Sequence, residues 1–335
     1  MILKYVARRL LFLIFVVIGI TALLFLITNL LPADPARAAA GPGASPLQVE
    51  NLRHKLGLDQ PLYVRYFRYL GNLLQGDLGI STRTRKPVSD ELRKYLPASL
   101  ELMIAAMLIN LLIAVPLGVL SATRPGRLAD SVSRLFAAMG MGMPLFWVAL
   151  LAQFAFYGKL GILPAGGRLS ISVMPPLYVT GSYIVDAVIG GQWLVLKDAL
   201  SHLLLPAIVM ALPEVAVTSR LTRSSMLEVL GQDYIRTARS KGLSERSVIG
   251  KHALRNALIA PLTMAGMQMG WILGNIVLVE SVFTWGGLGF LAYQAIYKLD
   301  FPVIMGVTLV MCAVFVLANL VIDILYAYVD PRIQY

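Results

Sequence analysis

Long apolar runs separated by short polar stretches dominate the chain. They fall at about 10–31, 99–121, 135–157, 203–221, 257–279 and 302–329. Each carries few charges and is long enough to cross a hydrocarbon core, which takes about 20 residues at about 1.5 Å rise each. The pattern predicts six transmembrane helices. Pro206 and Pro213 interrupt the fourth run. A seventh apolar stretch, 178–196, follows Pro175-Pro176 and contains Asp186 and Gly190-Gly191.

Parity decides how that stretch is read. With six spans the N-terminus, the hairpin holding Arg124, Arg127 and Arg134, and the loop at about 222–256 share one side. That loop carries Arg223, Arg236, Arg239, Lys241, Arg246, Lys251 and Arg255. An additional span would send it outward, against the retention of Lys and Arg in the cytoplasm. Residues 178–196 are therefore expected as a surface or partly inserted segment on the outer side, with both termini cytoplasmic. Residues 32–97 hold ten Lys and Arg. They fall on the outside, which loops beyond about 60 residues tolerate. The division expected is 1–97, a first helix with an extracytoplasmic segment, and 98–330, a five-helix core carrying the loop.

Lys4, Arg8 and Arg9 before the first run resemble a secretory leader, and Ala38-Ala39-Ala40 would suit a cleavage site. A leader's apolar region is only about 7–15 residues long, so a retained first helix is expected.

Composition agrees with this pattern. Of 335 residues, 58% are hydrophobic and 14% charged, against about 25% charged in soluble domains. The net charge of +11 is spread along the chain. It points to anionic lipid rather than nucleic acid. Cys312 is the only cysteine, and His54, His202 and His252 lie far apart. A disulfide within the chain and a cysteine metal site are thereby excluded.

The sequence contains no P-loop. Its nearest approach is Gly250-Lys251, with Glu245 at the first glycine position and His252 at the Ser/Thr position. No catalytic constellation is visible, so the chain is read as non-enzymatic, with no cofactor of its own. The loop itself reads as helix, glycine elbow, helix. Asp233 is the expected N-cap of the first arm, and Gly242 its left-handed terminator. Ser244 would cap the second arm, with Glu245 in its first turn. Leu243 at the tip among cations suits docking into a partner's groove, or equally resting on anionic lipid.

Several stretches resemble the permeases of dipeptide, oligopeptide and nickel ABC importers. In the loop these are Tyr234, Thr237-Ala238-Arg239, Lys241-Gly242-Leu243, His252, Leu254-Arg255-Asn256-Ala257 and Pro261, with Arg223-Ser224-Ser225-Met226-Leu227-Glu228 upstream. Elsewhere they are Leu31-Pro32-Ala33-Asp34-Pro35, Gly76-Asp77-Leu78-Gly79, Ser281-Val282-Phe283-Thr284-Trp285-Gly286-Gly287-Leu288-Gly289 and Asp330-Pro331-Arg332. Arg236-Thr237 stands where importers at large have Glu-Ala, and Arg255 where they have proline, departures that the peptide and nickel branch shares.

The resemblance implies a six-helix type I permease in the bacterial cytoplasmic membrane. It would work with a homologous second permease, two cytoplasmic ATPases that bind the ATP, and an extracytoplasmic peptide-binding protein. It decides for docking and assigns the ATPase contact to Tyr234, Thr237, Ala238, Arg239, Lys241, Gly242, Leu243, His252, Arg255 and Asn256. The cargo would be dipeptides or oligopeptides, with nickel chelates the alternative. An ion-coupled carrier acting alone would need more intramembrane carboxylates than Glu214 and Asp323.

Glu214 is the candidate for the substrate path, where it would attract a peptide's ammonium. It could instead pair with a neighbouring cation or sit near water. Asn319 and Asp323, four apart, are expected to bond between helices or lie near the cytoplasmic surface. Gly266, Gly270 and Gly274 form a stripe for close helix packing.

Overall fold

A computed structural model describes residues 2–30, 35–41, 43–55, 57–124 and 142–329. The hairpin residues Arg127 and Arg134, the motif residues 31–34 and 330–332, and the Asp323 side chain lie outside the described residues. Within them the fold is helical, with no strand beyond an isolated bridge between Ile80 and Pro87.

The first helices are α1 (Ile2–Leu30), α2 (Pro35–Ala40), α3 (Pro46–Lys55) and α4 (Leu62–Leu74). Next come α5 (Val88–Thr123), α6 (Leu145–Ala152, continued by a π-helical stretch Gln153–Lys159), α7 (Tyr183–Ile189) and α8 (Trp193–Leu230). The chain continues through α9 (Asp233–Ser240), then α10, which comprises Glu245–Ser247, a π-helical Val248–Ala253 and Leu254–Ala257. It ends with α11 (Ile259–Val282), α12 (Leu288–Tyr297) and α13 (Phe301–Val329).

Among the described residues four helices are long and apolar enough to cross a membrane: α5, α8, α11 and Phe301–Ile322 of α13. Apolar stretches Ile14–Ile27 and Leu145–Lys159 are shorter. The stretch 178–196 resolves into a loop, the seven-residue α7, a turn at Gly190-Gly191 and the start of α8. At about 1.5 Å per residue α7 is far too short to span.

The helix α5 starts eleven residues before the expected span and runs through residue 97. Pro87 opens it, since its fixed φ suits a helix start and its missing N–H is not needed there. Asp90 and Glu91 in its first turn face the positive end of the helix dipole. This early part is amphipathic: Asp90, Arg93 and Lys94 are exposed, and its apolar residues turn inward. Val88 and Leu92 are buried against Leu288, Leu291, Val303 and Val307 of α12 and α13.

The principal helix pair is α5 with α8. Gly118 permits its close approach: a Cβ there would come within 2.5 Å of the Thr222 Cβ and 2.7 Å of the Ser219 carbonyl oxygen. Leu102, Leu205, Met210, Ile272 and Ile276 fill the space between α5, α8 and α11. The same three helices share a buried polar lock. Asn110 Nδ2 donates to Gln268 Oε1 at 3.0 Å, and Gln268 Nε2 reaches Thr218 Oγ1 at 2.9 Å and the Glu214 carbonyl at 3.2 Å. Without water to compete, such bonds fix the relative positions of helices.

The glycine stripe packs as expected at two of its three positions. Gly266 faces Asn319 and Ile322 of α13, and Gly270 faces Phe315. Gly274 meets nothing within 4 Å; with Met267, Trp271 and Asn275 it lines a surface hollow. Asn319 bonds its own helix, Nδ2 to the Phe315 carbonyl.

Carboxylates tie down the end of the bundle where α5 begins. Glu101 accepts from Ser182 Oγ at 2.6 Å and Ile184 N at 2.9 Å, and it pairs with Arg168, whose guanidinium stacks 3.7 Å from the Tyr183 ring centroid. Asp198 accepts from Ser170 N and Oγ, both at 2.7 Å. Burial works against the charge of Asp186, but hydrogen bonds from Thr180, Val179 and Gly181 outweigh it and hold the carboxyl below its usual range.

Candidate functional site: a docked elbow

The helix α8 stops at Gly231, and Gln232 carries the extended backbone (φ −74°, ψ 150°) that opens α9. The N-cap is therefore one residue earlier than expected. Asp233 occupies the first turn, where its charge suits the helix dipole, and pairs with Arg236 at 3.5 Å.

The elbow is a Schellman turn. Gly242 N donates to the Arg239 carbonyl at 2.9 Å and Leu243 N to the Ala238 carbonyl at 3.4 Å, with Gly242 at φ +77°. Ser244 then takes the extended N-cap conformation, although its side chain makes no capping bond. The second arm is helical to Ala257, as the sequence implies, but its middle is a π-helical turn for which periodicity gives no signal.

The elbow is bound firmly to the bundle. Ile235, Ala238, Val248, Ala253 and Ala257 form a buried cluster with Ala122 at the end of α5 and Met226 near the end of α8. Asn256 Nδ2 donates to Tyr234 Oη at 2.8 Å, and Arg239 Nε to Glu245 Oε1 at 2.8 Å; both bonds bridge the two arms.

The expected contact residues thus divide into two sets. Tyr234, Thr237, Arg239, Lys241, Gly242, Leu243, Arg255 and Asn256 are exposed, and His252 is half-buried. Ala238 faces inward, so it holds the elbow together rather than presenting a surface. Arg239 also has an internal task, because its pair with Glu245 spans the turn. An exposed pair of this kind contributes about 0.2–1 kcal/mol, too little to govern folding. Arg239→Glu and Glu245→Arg are each expected to lower transport while leaving protein levels unchanged. The double charge swap rebuilds the pair but leaves Glu at the contact surface, so uptake in membrane vesicles should recover only the part of the loss that came from the broken pair.

Glu214 on α8 is buried, 6% exposed, and no ion pair reaches its carboxylate among the described residues. The cation that the sequence left open as its partner is therefore not found there.

Glu280 is a buried carboxylate that sequence reasoning missed. It accepts from Ser99 Oγ and from Phe290 N (2.9 Å), while Ser99 Oγ accepts from Leu288 N at 2.7 Å. Two residues from remote helices thus cap the start of α12. The motif around Trp285 serves this joint. Phe283 and Trp285 are buried, and the Trp285 indole donates to the Ala98 carbonyl at 2.8 Å. A Cβ on Gly287 would lie 2.2 Å from Glu280 Oε1, and one on Gly289 2.8 Å from the Val277 backbone. The available signal was a carboxylate one residue beyond an apolar run, followed by closely spaced glycines.

An inner-membrane transport component is the class these features define. The chain belongs to the family described as "Binding-protein-dependent transport system inner membrane component", whose model matches residues 114–335; the corresponding N-terminal family matches 2–103. It is a multi-pass protein of the bacterial inner membrane. It is 47% identical over 321 residues to the probable D,D-dipeptide transport system permease protein DdpB of Escherichia coli K12, covering 96% of this chain and 94% of that one. It is 45% identical to the dipeptide transport system permease protein DppB of Alkalihalophilus pseudofirmus, covering 99% and 100%. It is also 40% identical to the oligopeptide transport system permease protein AppB of Bacillus subtilis, covering 99% of each. A chain of the methionine ABC transporter MetNI in an inward-facing conformation has a similar fold, with a TM-score of 0.51 at 17% identity, covering 72% of this chain and 96% of that one.

Proposed function

We propose that this chain is one of two homologous permease subunits of an ATP-binding-cassette importer for dipeptides or oligopeptides. It has six spans, with both termini and the elbow in the cytoplasm. Two ATPase subunits bind and hydrolyse the ATP, and an extracytoplasmic binding protein delivers the peptide. The chain itself is non-catalytic and holds no cofactor.

The observation that carries this reading is the elbow: a cationic, exposed turn whose buried side is packed onto α5 and α8. A sequence without a P-loop must receive its energy from another chain, and here a surface that an ATPase can grip is bound to helices that cross the bilayer. Closure of the ATPases would draw the elbows together and rock the helices as rigid bodies, alternating access to the path. Glu214, enclosed in this conformation, would join that path when the helices separate. The relatives' printed cargoes, D,D-dipeptides, dipeptides and oligopeptides, support a peptide. An ion-coupled carrier is disfavoured because Glu280 is consumed by structural hydrogen bonds.

Reconstitution with the partner subunits tests this. Peptide uptake into proteoliposomes should require ATP and loaded binding protein and proceed without any ion gradient. Uptake driven by a proton or sodium gradient in the absence of ATP would refute it.

A further inference from the structure

Residues 168–181 form a closed loop with an apolar tip. Arg168 holds its two ends together: the guanidinium pairs with Glu101 and donates to the Gly181 carbonyl at 3.2 Å. On the outgoing side Ser170 is fastened to Asp198. On the returning side Val179, Thr180 and Gly181 donate to Asp186. Surface loops of about 6–16 residues whose ends meet in this way are compact and frequently functional. Between the fastenings Ile171, Met174, Leu177 and Tyr178 are each 70% exposed or more. From residue 160 to 196 the only charged residues are Arg168 and Asp186, and both are engaged in the fastenings. An apolar, uncharged patch held rigidly in the open marks an interaction surface.

The loop is fastened to the ends of α5 and α8 that lie away from the elbow: Glu101 and Asp198 hold the loop, Ala122 and Met226 the elbow. With the elbow in the cytoplasm, as proposed above, the tip is extracytoplasmic. Acyl chains cannot cover it at any depth. The tip is not helical, and the N–H groups of Ile171, Ser172, Met174, Leu177 and Tyr178 find no acceptor among the described residues. Hydrocarbon offers none, whereas a protein can supply them. Two extracytoplasmic candidates follow from the function proposed above, the binding protein and the second permease. The binding protein comes and goes. Surfaces that associate transiently are about as apolar as the rest of a protein's surface, and charge speeds their encounter. Permanent interfaces are more apolar and poorer in charge. The tip has the second composition.

We infer that the tip at 171–178 is a permanent contact with the second permease subunit, seated against an apolar, uncharged surface of that chain. This rests on the subunit composition proposed above. The fastenings through Glu101 and Asp198 then link the position of the second subunit directly to the starts of α5 and α8.

A photoreactive benzophenone side chain in place of Met174 or of Leu177, in the full complex in nanodiscs, tests this. Irradiation should link each position to the second permease, to the same extent with and without loaded binding protein. Met174→Cys in a Cys312→Ser background gives a second reading. In the folded complex without binding protein it should react with a maleimide severalfold more slowly than in the same chain unfolded in denaturant. Adducts with lipid alone, adducts with the binding protein alone, no adduct at either position, or reaction at the unfolded rate would each overturn the inference. If the complex holds a second permease that neither position reaches, only this contact falls. If a complex active in ATP-driven peptide uptake assembles without a second permease, the proposed subunit composition falls with it.

Discussion

Gly242→Val should abolish peptide transport and the stimulation of ATP hydrolysis by loaded binding protein, while the permease still inserts at normal levels. The backbone at Gly242 has φ +77°, which a β-branched L-residue reaches only at a cost of about 1–2 kcal/mol. Space is not the obstacle, because a Cβ there meets nothing within 4 Å. The loss comes from conformation. The turn either strains or opens, and the bonds from Gly242 N and Leu243 N that close the first arm go with it. Asn tolerates the left-handed region better than other residues, so Gly242→Asn should keep a substantial part of the activity. The measurement is ATPase rate of the reconstituted complex with and without loaded binding protein. Full stimulation in the Val variant would mean that this turn does not transmit the motion.

Glu280→Ala is expected to produce the largest loss of stability in the chain. It removes the acceptor for Phe290 N and Ser99 Oγ at a site with no exposure to solvent. Each buried donor left without a partner costs about 1–3 kcal/mol, so a total of about 2–6 kcal/mol is expected for the two. Glu280→Gln keeps one acceptor oxygen and should be milder. Gly289→Val should be as damaging as Glu280→Ala, because its Cβ would collide with the Val277 backbone. Membrane abundance and the thermal unfolding midpoint of the detergent-solubilised complex report both. Wild-type midpoints for Glu280→Ala and Gly289→Val would show that the start of α12 is held by something else.

Much of this was legible in the sequence for a plain reason: lipid allows few ways to satisfy a backbone, so an apolar run of the right length specifies its element almost alone. The Schellman turn was legible too, because Gly242 followed a helical stretch and preceded Ser244-Glu245. What stayed hidden depends on partners remote in the chain. The extension of α5 back to Val88 looks polar because its apolar residues are few, and Val88 and Leu92 are covered by α12 and α13 far along the chain. The N-cap moved from Asp233 to Gln232 because backbone conformation, not a side-chain bond, starts that helix. Ala238 matched the loop pattern but turned inward, as a small residue packed against Met226 must. Glu280 and Ser99 are separated by 181 positions, and nothing local connects them.

The lengths of α5 and α8 have a mechanical consequence. At 36 and 38 residues they measure about 54 and 57 Å at about 1.5 Å per residue, well beyond the roughly 30 Å of hydrocarbon. On α8 the elbow grips at Met226, eight residues from Thr218 in the polar lock, while Asp198 fastens the opposite loop twenty residues beyond it. The elbow thus stands about 12 Å from the lock and the loop fastening about 30 Å from it on the other side. Pro206 and Pro213 fall only on the longer side, where each removes a backbone hydrogen bond and is a point of bending. A push at the elbow would therefore reach the lock through unbroken helix, but the far loop only across two places where the helix can bend.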